Sequence, residues 1–387
     1  MLALSLPAAA KTRGVTKDTI LVGSYQTLSG PAAIVAAVGR GADAYFKMVN
    51  ERGGIHGRKI KFVIVDDQLQ VARTVAAVKK LVEQEGVFGL AAGMNTNGTL
   101  AVVPYLQKMK VPSITGVSAT ECTFPPRKYI FTVRPVSFVE GLALAKYAVE
   151  HLKAKRIAIA YMDDGMGKDI TRAAKQVMAT YGLKPVAEAA LGMQDVDYAS
   201  QALVIKDSKP DLVLLACSFR QTPKLLVEAK KIGLLKQTKW LGATVSNTPI
   251  TLRMAGKGTC EGVYLAGSMP AVDSPDPKCV EFRTYFHKYY PKENVYSILG
   301  MVGWASAQVF AEGLRRAGKD LTVEGFVKAL ESIKNWKGSL MYDQTYGPNR
   351  RDGDRYIRMC QVKNDKIVEI QGFFTLSDKE AEKYIKH

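Results

Sequence analysis

The sequence predicts an α/β protein of two similar lobes, each built on a central parallel sheet. Three observations carry that prediction. Strand and helix patterns alternate in two series, across residues 15–115 and again across 137–242. Strand candidates such as residues 156–161 (RIAIAY) are continuously apolar, as expected where both faces of a strand are covered. A chain of 387 residues also has room for two cores of ordinary size. Repeated βαβ units of this kind imply parallel sheets with helices on both faces.

In chain order, residues 15–24 (VTKDTILVGS) read as the first strand. Residues 32–52 form a long helix, ended by the turn glycines Gly53, Gly54 and Gly57. Residues 59–66 (KIKFVIVD) are the second strand. Residues 71–84 carry Val75, Val78, Leu81 and Val82 on one stripe and read as a helix. A strand at 87–92, a helix at 99–109 and a strand at 111–115 complete the first series. The second series runs helix 137–152, strand 156–161, helix 167–181, a short bridge 191–197, helix 198–207, strand 211–216, helix 222–232 and strand 239–242. From Gly262 the pattern changes. A short strand at 263–269 leads into a loop rich in Pro and Asp, then helices at 282–290, 299–317 and 323–331. A turn-rich stretch, 338–353, precedes a hairpin of 355–363 with 366–373 around Asn364-Asp365.

The composition, 47% hydrophobic and 23% charged, is that of a soluble globular protein whose core needs no disulfide or metal. Residues 1–10 (MLALSLPAAA) resemble the tail of a secretory h-region before an A-x-A cleavage site, though a charged n-region is missing. Apolar runs downstream hold only 4 to 8 residues, which suits buried strands rather than membrane spans. The expectation is a soluble, exported mature chain. Of the five cysteines, Cys260 and Cys279 flank the Pro/Asp-rich loop and stand where they can pair in an oxidising compartment. Cys122, Cys217 and Cys360 are scattered, no CxxC occurs, and the four histidines share no short spacing. No metal and no cofactor are expected. The net charge of +18 is spread along the chain with no polybasic arm and no nucleic-acid motif, so it reads as a solvated basic surface.

Open parallel sheets bind ligands beyond the carboxyl ends of their strands. The loops there are 25–30, 93–98 and 116–120 in the first series, and 163–167, 217–221 and 243–246 in the second. Exposed N–H groups in such turns suit a carboxylate. Ser, Thr and Asn at these places also serve as ordinary helix N-caps. Asp163 and Asp164 are adjacent, and adjacent residues rarely converge on one reacting group. Met166 and Phe219 read as pocket lining rather than core. There is no GxSxG elbow, P-loop or HExxH, and the Gly-rich turn at 53–57 follows a helix, the wrong order for a phosphate loop. A binding protein, not an enzyme, is expected.

Several segments carry a family resemblance: Leu28-Ser29-Gly30-Pro31, residues 50–60 (NERGGIHGRKI) followed by Asp66-Asp67-Gln68, Val111-Pro112-Ser113-Ile114, residues 161–167 (YMDDGMG), and Lys209-Pro210-Asp211. Through these, the chain resembles the leucine/isoleucine/valine-binding proteins, with the type I periplasmic-binding-protein fold. The resemblance runs from about Val15 to Phe374. It implies two Rossmann-like lobes joined by three hinge crossings, near 132–135, 262–265 and 342–353. Residues 1–10 are then an export remnant, lobe 1 is 11–133 plus 265–343, and lobe 2 is 134–264 plus 344–387. It also implies a periplasmic monomer that closes on a solute and docks on the permease subunits of an ABC importer.

Carried over one at a time, the carboxylate-holding positions fall on Asn95 and Thr96, then on Ser118, Ala119 and Thr120, with Gln26 at the end of the first strand beside them. The family's second-lobe aromatics fall on Met166 and Phe219, and its ammonium-holding acid falls near Thr244. Neither Met166, Phe219 nor Thr244 bears a charge, and a buried ammonium needs an accepting partner. The expected ligand is therefore a carboxylate without an α-amino group, an aromatic or short aliphatic acid, with Arg134 or Arg220 as a further cation. A branched-chain or other amino acid is the alternative within the family. A ligand-sensing receptor domain is the alternative outside it, although no transmembrane or DNA-binding element is visible to transmit a signal.

Overall fold

The computed structural model describes residues 12–30, 33–192, 194–376, 380, 381 and 384. The expected export remnant, 1–10, lies outside them. The first sheet contains β1 (Thr19–Gln26), β2 (Lys59–Asp66), β3 (Gly89–Ala91), β4 (Ser113–Thr115) and β5 (Ile130–Thr132), in the order β2-β1-β3-β4-β5 with every pair parallel. Its helices are α1 (Ala37–Glu51), α2 (Val71–Lys79), α3 (Thr96–Lys108) and the short α4 (Thr120–Thr123). The second sheet takes β6 (Ile157–Met162), β7 (Ala187–Leu191), β8 (Leu212–Ala216), β9 (Lys239–Gly242) and β10 (Tyr264–Gly267) as parallel strands. Its helices are α5 (Ser137–Glu150), α6 (Gly165–Thr180), α7 (Ala199–Asp207), α8 (Gln221–Lys231) and α9 (Pro249–Ala255). Three further helices, α10 (Pro277–Tyr289), α11 (Ile298–Ala317) and α12 (Val323–Glu331), return to the first sheet. The chain ends on the second, where β11 (Tyr356–Lys363) and β12 (Lys366–Thr375) add antiparallel to its edge. Asn364 and Asp365 both take positive φ, 53° and 55°, which a tight two-residue hairpin turn demands.

The alternation read from the sequence thus becomes two sheets with helices on both faces. Two strands escaped that reading. β7 (AEAAL) has weak strand propensity and is a strand because it pairs with β6. β5 has three residues, too few to show a period.

On one face of the first sheet, α1, α10, α11 and α12 build an aromatic core, with Tyr45 edge-on to Trp304 at 5.0 Å and Phe88 edge-on to Phe326 at 5.3 Å. On its other face α2 contributes Val78, the π-helical turn that continues it (Lys80–Gln84) contributes Leu81, and α3 contributes Val102 and Leu106. In the second lobe α5 and α6 cover one face, and α7, α8 and α9 the other.

The changeovers between lobes set the site. The first follows β5 and enters α5. The second was expected at 262–265, but β10 stays paired in the second sheet to Gly267, so the return follows that residue. The third is later than the expected 343/344 division. Thr132 N–H donates to Arg351 O (2.9 Å), Gly353 N–H donates to Thr132 O (2.9 Å), and Tyr346 packs edge-on to Phe131, so 344–353 stay with the first lobe. The Cys260–Cys279 pairing that the sequence left open does not form. All five cysteines are free and buried, and these two belong to the cores of different lobes. No helix among the described residues is long and apolar enough to cross a membrane.

Candidate functional site

The carboxyl ends of the strands bring the expected loops into view, but the loops do different jobs. Gln26 has no exposed surface. Its Nε2 donates to Ser24 Oγ (2.8 Å) and Ala92 O (2.5 Å), and α1 lies directly on it at Gly39. Through Nε2 it braces the sheet end, while its Oε1 has no partner among the described residues. Asn95 is the N-cap of α3, its Oδ1 accepting Gly98 N–H at 3.0 Å. Its Nδ2 donates to Thr74 Oγ1 (2.9 Å) and Asp67 Oδ2 (3.1 Å). Asp67 also accepts from Thr27 and Thr74. With the amide engaged on both sides, Asn95 is a cap and a tie for a buried carboxylate, not the carboxylate holder the resemblance implied. Asn95→Ala should therefore lower stability by about 2 kcal/mol while changing ligand affinity less than about threefold, read by urea denaturation and calorimetry. Thr96, the first residue of α3, is half-buried.

The loop after β4 is stitched to the start of α5. Ser118 O accepts both Ser137 N–H (2.7 Å) and Ser137 Oγ (3.0 Å), and the two hydroxyls are 3.5 Å apart. Thr120 Oγ1 accepts Phe138 N–H at 3.1 Å, satisfying an amide of α5 that has no partner within the helix. Thr132 Oγ1 donates to Val117 O at 2.7 Å, tying the first crossing to the same loop. Ser118, Ala119 and Thr120 are all nearly buried at this joint.

Two residues beyond Thr132 lies Arg134, buried in the crossing itself. Its Nη2 donates to Thr244 Oγ1 at 3.3 Å, and its Nε has no hydrogen-bond partner among the described residues. Thr244 in turn donates to Glu140 twice, through N–H to Oε1 (2.5 Å) and through Oγ1 to Oε2 (3.0 Å). Glu140 stands in the first turn of α5 and is 1% exposed. Burial pushes its carboxyl up, while the Thr244 bonds and Arg134 oppose that. Burial pushes Arg134 down, and Glu140 opposes that. The sequence reading missed Glu140. Its one signal was a charge in the otherwise apolar helix start SFVEGLALA.

In the second lobe Met166 is 8% exposed and packs into the core under α6, so it is mainly core. Phe219 is half-buried beside the exposed Arg220, whose Cζ lies 5.9 Å from the ring centroid. Asp164 caps α6 at Gly167 N–H, and Asp163 pairs with Lys168 at 2.7 Å, so the two acids serve separate structural ends. A surface hollow of about 490 Å³ between α6 and β7 is lined by Lys168, Arg172, Lys175 and Glu188. Its cations are paired with Asp163, Asp169 and Glu188. The joint between the sheets, with its unengaged guanidinium nitrogen, is the better candidate for a ligand.

Comparison with known proteins agrees with this architecture. A family model described as periplasmic binding protein matches residues 19–366. The Leu/Ile/Val-binding protein BraC3 of Rhizobium johnstonii is 26% identical over 342 residues, 84% of this chain and 88% of that protein. The leucine-specific-binding protein of Salmonella typhimurium is 24% identical over 272 residues, 70% of this chain and 72% of that one. A valine-bound branched-chain amino acid ABC transporter protein from Thermus thermophilus superposes with TM-score 0.84 at 21% identity, covering 94% of this chain and 98% of that one. An R. palustris solute-binding protein in complex with 4-hydroxybenzoate superposes with TM-score 0.80 at 23% identity, covering 92% and 97%. A fatty acid ABC transporter substrate-binding protein from Thermomonospora curvata does so with TM-score 0.82 at 21% identity, covering 96% of each.

Proposed function

The chain belongs to the periplasmic binding protein family, and from that premise we propose that it is the extracytoplasmic solute-binding component of an ABC importer, holding a small carboxylate that lacks an α-amino group. The observation that carries this reading is Arg134. It is a buried cation at the joint between the sheets with its Nε unengaged, and a carboxylate is the natural partner of a guanidinium fork. Among the described residues beside Arg134, a ligand ammonium finds only an acid that is already engaged. Glu140, the buried carboxylate of the joint, already accepts two hydrogen bonds from Thr244 and faces Arg134. Thr96, Ser118 and Thr120 from the first lobe, and Phe219 from the second, would complete the enclosure as the lobes bend at the crossings. The half-buried Phe219 ring favours an aromatic acid or a short aliphatic one. The basic surface draws anions toward the cleft. The activity is capture and delivery to a membrane permease, not turnover, by a monomer in the periplasm.

A thermal-shift panel tests the reading. Benzoate, 4-hydroxybenzoate and hexanoate are compared with leucine and valine. At a hundredfold excess over Kd a true ligand adds about 2.7 kcal/mol. At least one of the three acids should raise Tm more than either amino acid. A larger gain from leucine or valine would sink the proposal.

A further inference from the structure

Glu140 is linked to Arg134 through Thr244, whose hydroxyl donates to Glu140 Oε2 and accepts from Arg134 Nη2. We propose that Glu140 is a positioning residue that couples capture of the ligand carboxylate to uptake of one proton; this rests on the carboxylate reading above. Arg134 and an ionised Glu140 together carry no net charge. Bringing in a carboxylate would leave one uncompensated negative charge in a dry site, which is unfavourable. A proton taken from solvent by Glu140 restores neutrality.

The hydrogen-bond geometry has a place for that proton. With Glu140 ionised, the Thr244 hydroxyl donates to Oε2 and accepts from Arg134 Nη2. With Glu140 protonated, Oε2–H donates to Thr244 Oγ1, and the Thr244 hydroxyl hydrogen is released to point at the ligand carboxylate. One O–H bond forms on Glu140, one proton leaves solvent, and the threonine hydroxyl reverses direction. Burial already favours the protonated carboxyl.

Charged groups on the neighbouring elements do not replace Glu140 in this role. Across α6, Arg172 pairs with Asp169 at 2.6 Å and lies over the Phe138 ring at 4.5 Å. Glu121 of α4 faces that same pair. Further along α5, Lys146 pairs with Glu380 at 2.8 Å. From the crossing comes Arg134, and from the turn after β9 the neutral Thr244.

Isothermal titration calorimetry with benzoate and with hexanoate, in two buffers of different ionisation enthalpy at about pH 6 and about pH 8, reads proton uptake directly. Wild-type protein should take up as much as one proton, and Kd should rise by up to about tenfold per pH unit. Glu140→Gln carries a permanent amide donor toward Thr244, so it should take up no proton and bind with a Kd that is flat across pH. At the higher pH it should bind at least as tightly as wild type. A merely structural role for Glu140 predicts instead a uniform loss at every pH, which overturns the proposal. Binding by wild type without proton uptake also overturns it, needs no variant, and leaves the carboxylate reading standing. Failure of both acids and of 4-hydroxybenzoate to bind removes that reading and this proposal together.

Discussion

Arg134→Ala should lose carboxylate binding by at least about a hundredfold and destabilise the ligand-free protein by about 3–5 kcal/mol at neutral pH. The binding loss follows from removing the guanidinium at the first crossing, whose Nε has no hydrogen-bond partner among the described residues. The stability loss follows from what remains, a nearly inaccessible carboxylate facing a threonine and no cation. The pH dependence has a definite sign. Glu140 titrates above its ordinary value of 4.5 in the folded protein, so the folded state holds its proton more tightly than the unfolded chain. The penalty is fully present above the raised folded value, shrinks as pH falls through it, and vanishes below the ordinary carboxylate range. Urea denaturation of Arg134→Ala should therefore show the deficit closing between neutral and acid pH. The double variant Arg134→Ala/Glu140→Gln should recover most of it at neutral pH, since no charge is then left alone. Arg134→Lys keeps the charge but lacks the planar fork, and should fall between. An Arg134→Ala protein as stable as wild type at neutral pH would show that the pair is not coupled.

Gly303→Ala should destabilise the first lobe by about 2–4 kcal/mol. Alanine is the better helix former by about 1 kcal/mol, so propensity alone predicts a gain. Geometry decides otherwise. A Cβ on Gly303 would lie 1.7 Å from the Val38 carbonyl oxygen, and one on Gly41 would lie 2.0 Å from that of Gly300. Here α1 and α11 touch backbone to backbone, and neither carbonyl is the end of a flexible side chain. The helices must separate, which opens the packing of Tyr45 on Trp304. Gly165→Ala is the control, because a Cβ there meets nothing within 4 Å and should change stability by no more than about 0.5 kcal/mol. Equal denaturation midpoints for Gly303→Ala and wild type would refute the close approach.

Asn95 and Glu140 show why the fold was easier to read than the site. Asn at the head of a helix serves as a cap or as a ligand contact with the same side chain. Only the structure shows its Oδ1 capping Gly98 N–H and its Nδ2 engaged by Asp67 and Thr74. Glu140 looked like one charge at a helix start, and its partner Thr244 is 104 residues away. Thr244 itself was named from the resemblance, as the place of a missing acid. In the structure an acid does reach it, from α5, where Glu140 accepts its N–H and hydroxyl.

What the sequence determined by itself is local: where apolar residues run in strands, where they repeat with helical spacing, and where Asn364-Asp365 forces a hairpin. Those patterns depend on residues within a few positions of one another, and they suffice for two parallel sheets and their helices. Tertiary structure alone decided which polar groups stay open to a solute. A donor or acceptor is open or engaged according to neighbours brought from distant segments, and burial makes each such pairing worth more than it is in water.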